Sequence, residues 1–272
     1  MVRLGLAFSG GRVSAVEAVE RTAGLGIGAT VLWVDLAEGP EALGPAVDRA
    51  RALGLEVLGL NCYANLVHPT ERAWNVEQAS RALAFAAAHG VPWVNMMAGT
   101  RETGLSFWAY HPDNYSEATW ADLLASVRAL LRDGVRLTLE PYMLTPLATT
   151  ERLKRLLDQI RSENLAICLD PVNLVEPREY HRSAEVVAAM CAALGDRVVA
   201  VHAKDHYLHR QKATVQIDER VPGEGELPYG VLLRAMPQDA ALVIEHLRED
   251  AQIAAARDFI RRTAAETGVP LR

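Results

Sequence analysis

Short apolar runs recur along the chain, and each is followed by a polar segment and then by a stretch with helical periodicity. The runs that begin at Val135 and Leu165 are almost continuously apolar, as is typical of strands covered on both faces of a parallel sheet. Several intervening stretches place apolar residues three and four positions apart, which predicts amphipathic helices. The predicted strands are residues 2–8, 29–36, 55–60, 91–97, 135–140, 165–170, 198–203 and 241–246, and the clearest helices are 116–133, 149–163 and 181–194.

Residues that commonly cap helices stand at the ends of the helical stretches. Ser116 and Thr149 lie where a side-chain oxygen can accept a hydrogen bond from the first helical turn. A left-handed residue at the C-terminal end is expected at Gly54, Gly90, Gly134, Asn164 and Gly195. Strand and helix are therefore predicted to alternate throughout the chain.

This alternation predicts an α/β fold, a (β/α)8 TIM barrel, in a single domain over residues 1–272. Eight strand–helix units share 272 residues, which is a typical length for that barrel. An open doubly wound sheet is the alternative, but the segment Ser9–Arg12 lacks the G-x-G-x-x-G spacing that such a sheet usually carries after its first strand. The long segments 61–70, 98–115 and 204–229 follow strand ends, where a TIM barrel builds its active site.

Composition and charge narrow the classes of partner. With 28 basic and 34 acidic residues the formal net charge is −6, which gives no electrostatic reason to bind nucleic acid. The three cysteines form no C-x-x-C pair and no complete disulfide set, which is typical of a reducing compartment. No apolar run has the length of a signal peptide or a membrane span. We expect a cytoplasmic protein with a small-molecule partner and no nucleic-acid or membrane partner, and homo-oligomerisation stays open.

Four metal-ligating residue types stand at the ends of consecutive predicted strands in the second half of the chain. They are Glu140, Asp170, His202 and Glu245. A parallel barrel brings the carboxyl ends of its strands together, so these side chains are expected to converge at the mouth. Three carboxylates buried together would be costly without a cation. Oxygen ligands with one imidazole suit Mn²⁺, Mg²⁺ or Co²⁺, and Zn²⁺ is a further alternative.

These residues and their surroundings carry a resemblance to a known family. The segments Asp170–Asn173, His202–Asp205 and Pro222–Glu226, together with Glu140 and Glu245, resemble the sugar phosphate isomerase/epimerase branch of the xylose isomerase-like TIM barrels. That superfamily also includes ketose 3-epimerases, inosose dehydratases and endonucleases of the apurinic-site type. The resemblance implies that Glu140, Asp170, His202 and Glu245 bind the metal, and that both glutamates are catalytic proton carriers.

One position departs from the family pattern. Many members carry a histidine three residues after the sixth-strand aspartate, and here that residue is Asn173, whose amide can hydrogen-bond a hydroxyl but cannot titrate. This departure argues against a nuclease with several metals. The predicted substrate contacts are His68, Trp108, His111, Asn173, Lys204 and Asp205, and a purely structural role is the alternative for each.

The sequence therefore predicts a divalent-metal-dependent isomerase or epimerase, with Mn²⁺ as the first choice of metal. It would act on a small ketose or related hydroxyketone through an enediolate. One divalent cation and three carboxylates sum to a charge of −1, and Lys204 is the nearest obvious cation, so a neutral polyol is favoured over a polyphosphate. A metal-dependent dehydratase of an inosose-like substrate is the main alternative. An apurinic endonuclease and a non-catalytic barrel are the others.

Overall fold

A computed structural model describes residues 1–8 and 13–272, and eight parallel strands in it close into a barrel. The segment Ser9–Arg12 lies outside the described residues. The barrel strands are β1 (Arg3–Ala7), β2 (Ala29–Trp33), β3 (Glu56–Asn61), β4 (Trp93–Met97), β5 (Arg136–Glu140), β6 (Leu165–Leu169), β7 (Val198–Ala203) and β10 (Ala241–Ile244). Around the ring the order is β1-β10-β7-β6-β5-β4-β3-β2, so the predicted (β/α)8 barrel is confirmed.

Helices connect the strands on the outside of the barrel, and they are α1 (Ala15–Gly24), α2 (Gly44–Ala52), α3 (Arg72–Ala88), α4 (Glu117–Leu130), α5 (Thr150–Ile160), α6 (Ser183–Leu194), α7 (Tyr229–Ala235) and α8 (Asp250–Thr267). The predicted N-caps are confirmed, because the hydroxyls of Ser116 and Thr149 accept hydrogen bonds from the first turns of α4 and α5. A short 3₁₀ turn, Pro177–Arg182, precedes α6 and takes up the start of the helix predicted from residue 181. Within the described ranges, no helix combines the length and the apolar character needed to cross a bilayer.

The C-terminal ends of the helices agree with the sequence except at two places. Gly54, Gly90 and Gly195 end helices with positive φ angles, which glycine adopts without strain. The prediction for Gly134 is wrong, because α4 ends at Leu130 with the extended residue Leu131, and Gly134 lies in the turn that follows. The prediction for Asn164 is wrong, because α5 ends earlier and Arg161 takes the left-handed conformation with φ of 51°. The Nε atom of Arg161 donates to the carbonyl of Asp158 at 2.9 Å, which holds the side chain against the helix that it ends.

The barrel interior below its mouth is filled by side chains. Trp93 is 2 % exposed and packs in one cluster with small residues of other strands, among them Ala166, Ala200 and Ala241. Gly59 on the neighbouring strand makes room for it, because a Cβ at that position would overlap the Trp93 ring. The interior is therefore a packed core, and it closes the barrel below the polar strand ends.

An antiparallel hairpin extends from the end of β7. Its strands are β8 (Asp205–Leu208) and β9 (Ile217–Arg220), and they lie within the stretch 204–229 that the sequence predicts only as a loop. The Asp205 carboxylate accepts hydrogen bonds from the backbone N–H groups of Gly223, Gly225 and Leu227 at 2.8–3.1 Å. Gly225 is needed there, because a Cβ would overlap the Asp205 carboxylate. Asp205 thus fastens the hairpin to the segment that follows it.

Candidate metal centre

Four strand ends bring Glu140, Asp170, His202 and Glu245 into one cluster. Their strands β5, β6, β7 and β10 are neighbours around the ring, so the side chains form a continuous arc of the mouth. One ligand atom from each residue lies within 4.8 Å of the ligand atoms of the others, and all four residues are buried. Glu140 and Glu245 stand at the two ends of this arc, with Asp170 and His202 between them.

The Nδ1 atom of His202 is the centre of the cluster. It lies 3.3 Å from Oε1 of Glu140, 3.5 Å from Oδ2 of Asp170 and 3.0 Å from Oε1 of Glu245. Within residues 1–8 and 13–272, His202 Nδ1, Asp170 Oδ2 and both carboxylate oxygens of Glu245 are buried without a hydrogen-bond partner. Such atoms are costly to bury unless a cation or a hydrogen bond compensates them. Three oxygen donors and one imidazole nitrogen in this arrangement fit a divalent cation.

Lys204 lies beside the same carboxylates. Its Nζ atom is 2.8 Å from Asp170 Oδ2 and 2.6 Å from Glu245 Oε1, and these contacts are ion pairs by distance without the angles of hydrogen bonds. Burial lowers the pKa of Lys204, but Asp170 and Glu245 outweigh burial and hold this pKa well above its ordinary value. Burial raises the pKa of Asp170, but Lys204 and His202 outweigh burial and hold the pKa of Asp170 below its ordinary value. The lysine is therefore an ammonium and Asp170 is a carboxylate.

The Glu140 carboxylate is held by three neutral donors. Its Oε2 atom accepts from the Tyr63 hydroxyl at 2.7 Å and from the Asn95 amide at 3.0 Å. Its Oε1 atom accepts from the Asn173 amide at 3.1 Å. Burial raises the pKa of Tyr63 well above its ordinary value, and the Glu140 charge adds to this shift, so the phenol keeps the proton that it donates. The two glutamates of the arc thus differ, since Glu140 is fixed by hydrogen bonds and Glu245 is not.

The conserved pattern of the xylose isomerase-like TIM barrel matches residues 18–263. The chain belongs to the xylose isomerase-like TIM barrel family. The predicted resemblance to this superfamily is confirmed, while no curated protein sequence matches the chain.

Several solved structures share this fold. A D-allulose 3-epimerase from Methylomonas sp. is 18% identical with a TM-score of 0.69, and the match covers 96% of this chain and 98% of that one. The mannonate dehydratase from Streptococcus suis is 13% identical with a TM-score of 0.70, covering 98% and 95%. A xylose isomerase-like TIM barrel protein from Mycobacterium smegmatis, in complex with magnesium, is 14% identical with a TM-score of 0.71, covering 98% and 97%.

Two of the six predicted substrate contacts lie at the cluster of this xylose isomerase-like barrel. Asn173 binds Glu140, and Lys204 pairs with Asp170 and Glu245. The amide of Asn173 also donates to the carbonyl of Pro141 at 3.2 Å. Asn173 therefore positions a predicted metal ligand, in the place where many relatives were expected to have a histidine.

The other four predicted contacts make their hydrogen bonds and packing contacts elsewhere. Nδ1 of His68 accepts from the backbone N–H of Glu71 at 2.9 Å, and Nδ1 of His111 accepts from that of Asp113 at 3.2 Å, so each ring caps a turn. Asp205 fastens the hairpin, as described above. Trp108 is 44 % exposed and packs edge-on against Phe107. Contacts of these four residues with a substrate stay predictions.

Sequence reasoning missed three residues that support the cluster, namely Tyr63, Asn95 and Cys168. The signal for Cys168 is the alternation of side chains along a strand, by which residues two apart face the same side. Cys168 stands two residues before Asp170 on an inward position of β6, and its Sγ atom lies 3.2 Å from Nε2 of His202. Phe107 was also missed, and its ring packs 5.1 Å from the ring of Tyr63.

Cys168 orients the imidazole of His202. Burial raises the pKa of the Cys168 thiol to about 11, so the sulfur stays protonated at neutral pH and can accept a hydrogen bond from Nε2–H. Burial lowers the pKa of His202, but the acidic groups around it outweigh burial and hold this pKa well above its ordinary value. A bound cation would displace the Nδ1 proton, and the contact of Nε2 with Cys168 would then keep the Nδ1 lone pair directed at the cation.

Replacing Cys168 by alanine should weaken Mn²⁺ binding by about 10- to 100-fold, because outer partners of a ligating histidine contribute to metal affinity by that order. The measurement is titration of metal-stripped protein with Mn²⁺. Cys191→Ala in α6 is the matched control, since Cys191 is also a buried free thiol. An equal loss of affinity in both variants would show that only general stability has changed.

Proposed function

We propose that this xylose isomerase-like protein is a divalent-metal-dependent isomerase or epimerase of a small ketose or related hydroxyketone, with Mn²⁺ as its metal. The observation that carries the proposal is the buried arc of Glu140, Asp170, His202 and Glu245, whose ligand atoms lie within 4.8 Å of one another. A D-allulose 3-epimerase among the similar structures supports the same reaction class. Glu140, Asp170, His202 and Glu245 would hold the cation. When bound, it would supply Lewis-acid polarisation of a ketone and stabilise the charge of the enediolate.

The two glutamates divide the proton transfers in this proposal. Glu245 has two carboxylate oxygens without hydrogen bonds, so it can take the proton from the carbon next to the carbonyl. Glu140 stands at the other end of the arc, and in its protonated form it would give that proton to the opposite face of the planar intermediate. Exchange with solvent would then remove the proton from Glu245 and restore the one on Glu140. Tyr63 and Asn95 hold Oε2 of Glu140, which directs Oε1 toward the cluster. Transfer from opposite faces inverts the configuration at that carbon.

The charges of the cluster favour a neutral substrate. Three carboxylates and the Lys204 ammonium carry −2, and a divalent cation brings the sum to zero with His202 neutral. A phosphate group or a carboxylate on the substrate would bring a charge that no group of the cluster balances. We therefore propose a free sugar or a related neutral polyol.

Lys204 supports a second candidate reaction. Its buried ammonium lies beside Glu245 and could donate a proton to a hydroxyl group that leaves from the carbon next to the enediolate. That elimination would make the protein a dehydratase, and a mannonate dehydratase is among the similar structures. A product lighter by one water distinguishes this lyase from an isomerase.

The proposal assigns a small-molecule partner and no nucleic-acid or membrane partner. The acidic net charge of −6 and the use of Asn173 to hold Glu140 speak against an apurinic endonuclease. A cytoplasmic location belongs to the same proposal, and it is supported by three cysteines that are buried as free thiols.

The test uses Mn²⁺-loaded protein in deuterated water with ketohexoses, ketopentoses and inososes as probes. Proton NMR should show deuterium at the carbon next to the carbonyl of at least one sugar, together with an isomerised, epimerised or dehydrated product. Protein treated with a chelator and then dialysed is the control and should be inactive. If no probe exchanges a proton with any of Mn²⁺, Mg²⁺, Co²⁺ or Zn²⁺, the chain is a non-catalytic barrel and the proposal is wrong.

A further inference from the structure

Strands β4, β3 and β2 continue the ring beyond Glu140 and form another wall of the mouth. Asn61 on β3 is the direct partner of Trp33 on β2 and of Asn95 on β4. Directly paired residues of parallel strands face the same side of a sheet. Asn95 binds Glu140 inside the mouth, so Asn61 and Trp33 also face inward. Trp33 accordingly packs against the interior cluster that contains Trp93.

Among the described residues, three side chains of these strands have buried polar atoms without a partner, and one of them, Trp93, lies in the packed interior below the mouth. The other two are Asn61 and Trp33. Asn61 is 1 % exposed, and among the described residues neither its Nδ2 nor its Oδ1 atom has a hydrogen-bond partner. The indole Nε1 of Trp33 is buried without a partner as well. Asn95, by contrast, donates to Glu140 and accepts from Thr138. Buried polar groups are almost always hydrogen-bonded. The unpartnered polar atoms of Asn61 and Trp33 at the mouth therefore indicate the place of a ligand.

The chemistry of the wall limits what this ligand can be. Trp33, Asn61 and Asn95 are uncharged, and the Tyr63 hydroxyl keeps its proton because burial raises its pKa. The ring of Tyr63 packs edge-on against Trp33 at 5.2 Å. A hydroxyl group both donates and accepts, which matches the amide of Asn61, and an indole N–H can bind a second hydroxyl oxygen. Neutral hydroxyl groups therefore fit this wall, whereas an anion or a cation would find no opposite charge on it.

We propose that Asn61 and Trp33 form a hydroxyl-binding subsite for the end of the substrate that lies away from the carboxylate cluster. This inference rests on the proposed function and narrows its substrate class. A substrate that fills both places needs a carbonyl group and additional hydroxyl groups farther along its chain, as a ketohexose has. A three-carbon hydroxyketone would leave Asn61 and Trp33 unsatisfied.

The decisive variant is Asn61→Leu, which keeps the size of the side chain and removes both polar atoms. Calorimetric titration of the Mn²⁺-loaded protein is carried out with the four common ketohexoses and with dihydroxyacetone, the ketose that lacks further hydroxyls. The affinity for the best-bound ketohexose should fall about tenfold, and the affinity for dihydroxyacetone should not change. The melting temperature without sugar should not fall, because leucine replaces an amide that has no partner in the protein.

Trp33→Phe is the second variant, because it keeps an aromatic ring and removes only the N–H. It should also lower the preference for the ketohexose over dihydroxyacetone. Asn75→Leu is the matched control, since Asn75 is a buried amide that is hydrogen-bonded to Asn65 and Glu71. That variant should lose stability and keep the preference of the wild type.

The outcomes separate this inference from the proposed function. Unchanged preference in both Asn61→Leu and Trp33→Phe would overturn the subsite and leave the proposed function intact. A drop in melting temperature of Asn61→Leu with unchanged preference would assign the amide a structural role and overturn the subsite too. If the Mn²⁺-loaded wild type binds none of these sugars, the proposed function fails, and the subsite fails with it.

Discussion

Purified Asp170→Ala protein should contain almost no divalent metal, whereas the wild type should contain about one ion per chain if Asp170 is a ligand. Asp170 is fully buried, and its Oδ2 atom has no hydrogen-bond partner in the part of the chain that the structure describes. Alanine removes one of four ligands and also the carboxylate that pairs with Lys204. The measurement is elemental analysis after dialysis against trace Mn²⁺. The melting temperature of the wild type should rise with added Mn²⁺, and that of the variant should not.

Asp170 also has a structural task that the experiment must separate from metal binding. Its Oδ1 atom accepts from the backbone N–H groups of Val172 at 3.0 Å and Asn173 at 3.2 Å. Asp170→Asn keeps an oxygen for this turn and removes the negative charge, so it should fold like the wild type and still bind the metal weakly. Asp218→Ala in the hairpin is a control carboxylate away from the arc, paired with His209. Full metal occupancy in Asp170→Ala would contradict the assignment of the cluster as a metal centre.

The second large effect is expected from the two glutamates. Glu245→Gln and Glu140→Gln should each lower the rate of epimerisation by about 10²- to 10⁴-fold, because each removes a proton carrier that acts on one face of the enediolate. Glutamine keeps one oxygen that can bind the metal. The measurement is turnover of the ketose identified for the wild type, together with deuterium exchange at its α-carbon. Each variant should still exchange the proton of the epimer whose base it retains, without converting that epimer.

The two variants should differ in a way that the structure predicts. Glu140 accepts hydrogen bonds at both oxygens, from Tyr63 and Asn95 at one and from Asn173 at the other. A glutamine amide places an N–H₂ group against donors at one of these sites, so Glu140→Gln should also lose metal affinity. Glu245→Gln meets no such hydrogen bonds. Glu117→Gln on the exposed surface is the control, and normal epimerisation by both cluster variants with metal bound would make these carboxylates ligands only.

The barrel and the arc of four residues could be predicted because both depend on periodic features of the sequence. A parallel barrel places consecutive strand ends side by side, so Glu140, Asp170, His202 and Glu245 converge whatever the loops do. The hairpin of β8 and β9 could not be predicted, since four-residue strands are too short for a clear periodicity.

The roles of single residues in the loops were harder to predict. His68 and His111 stand in loops that follow strand ends, but a ring that caps its own turn and a ring that reaches a ligand have the same local sequence. Each accepts a hydrogen bond from a residue two or three positions along the chain. Tyr63 reaches Glu140 across 77 positions of sequence, and no local pattern reports a contact of that kind.

The filled barrel interior has a kinetic consequence. Trp93 and its small neighbours fill the barrel below the cluster, so a molecule at the cluster can exchange with solvent through the mouth. If the protein is the proposed isomerase, a ketose that enters and an isomer that leaves share one passage and cannot occupy it together. Product should therefore compete with substrate for the free enzyme, and the forward and reverse reactions should show the same pattern of mutual inhibition.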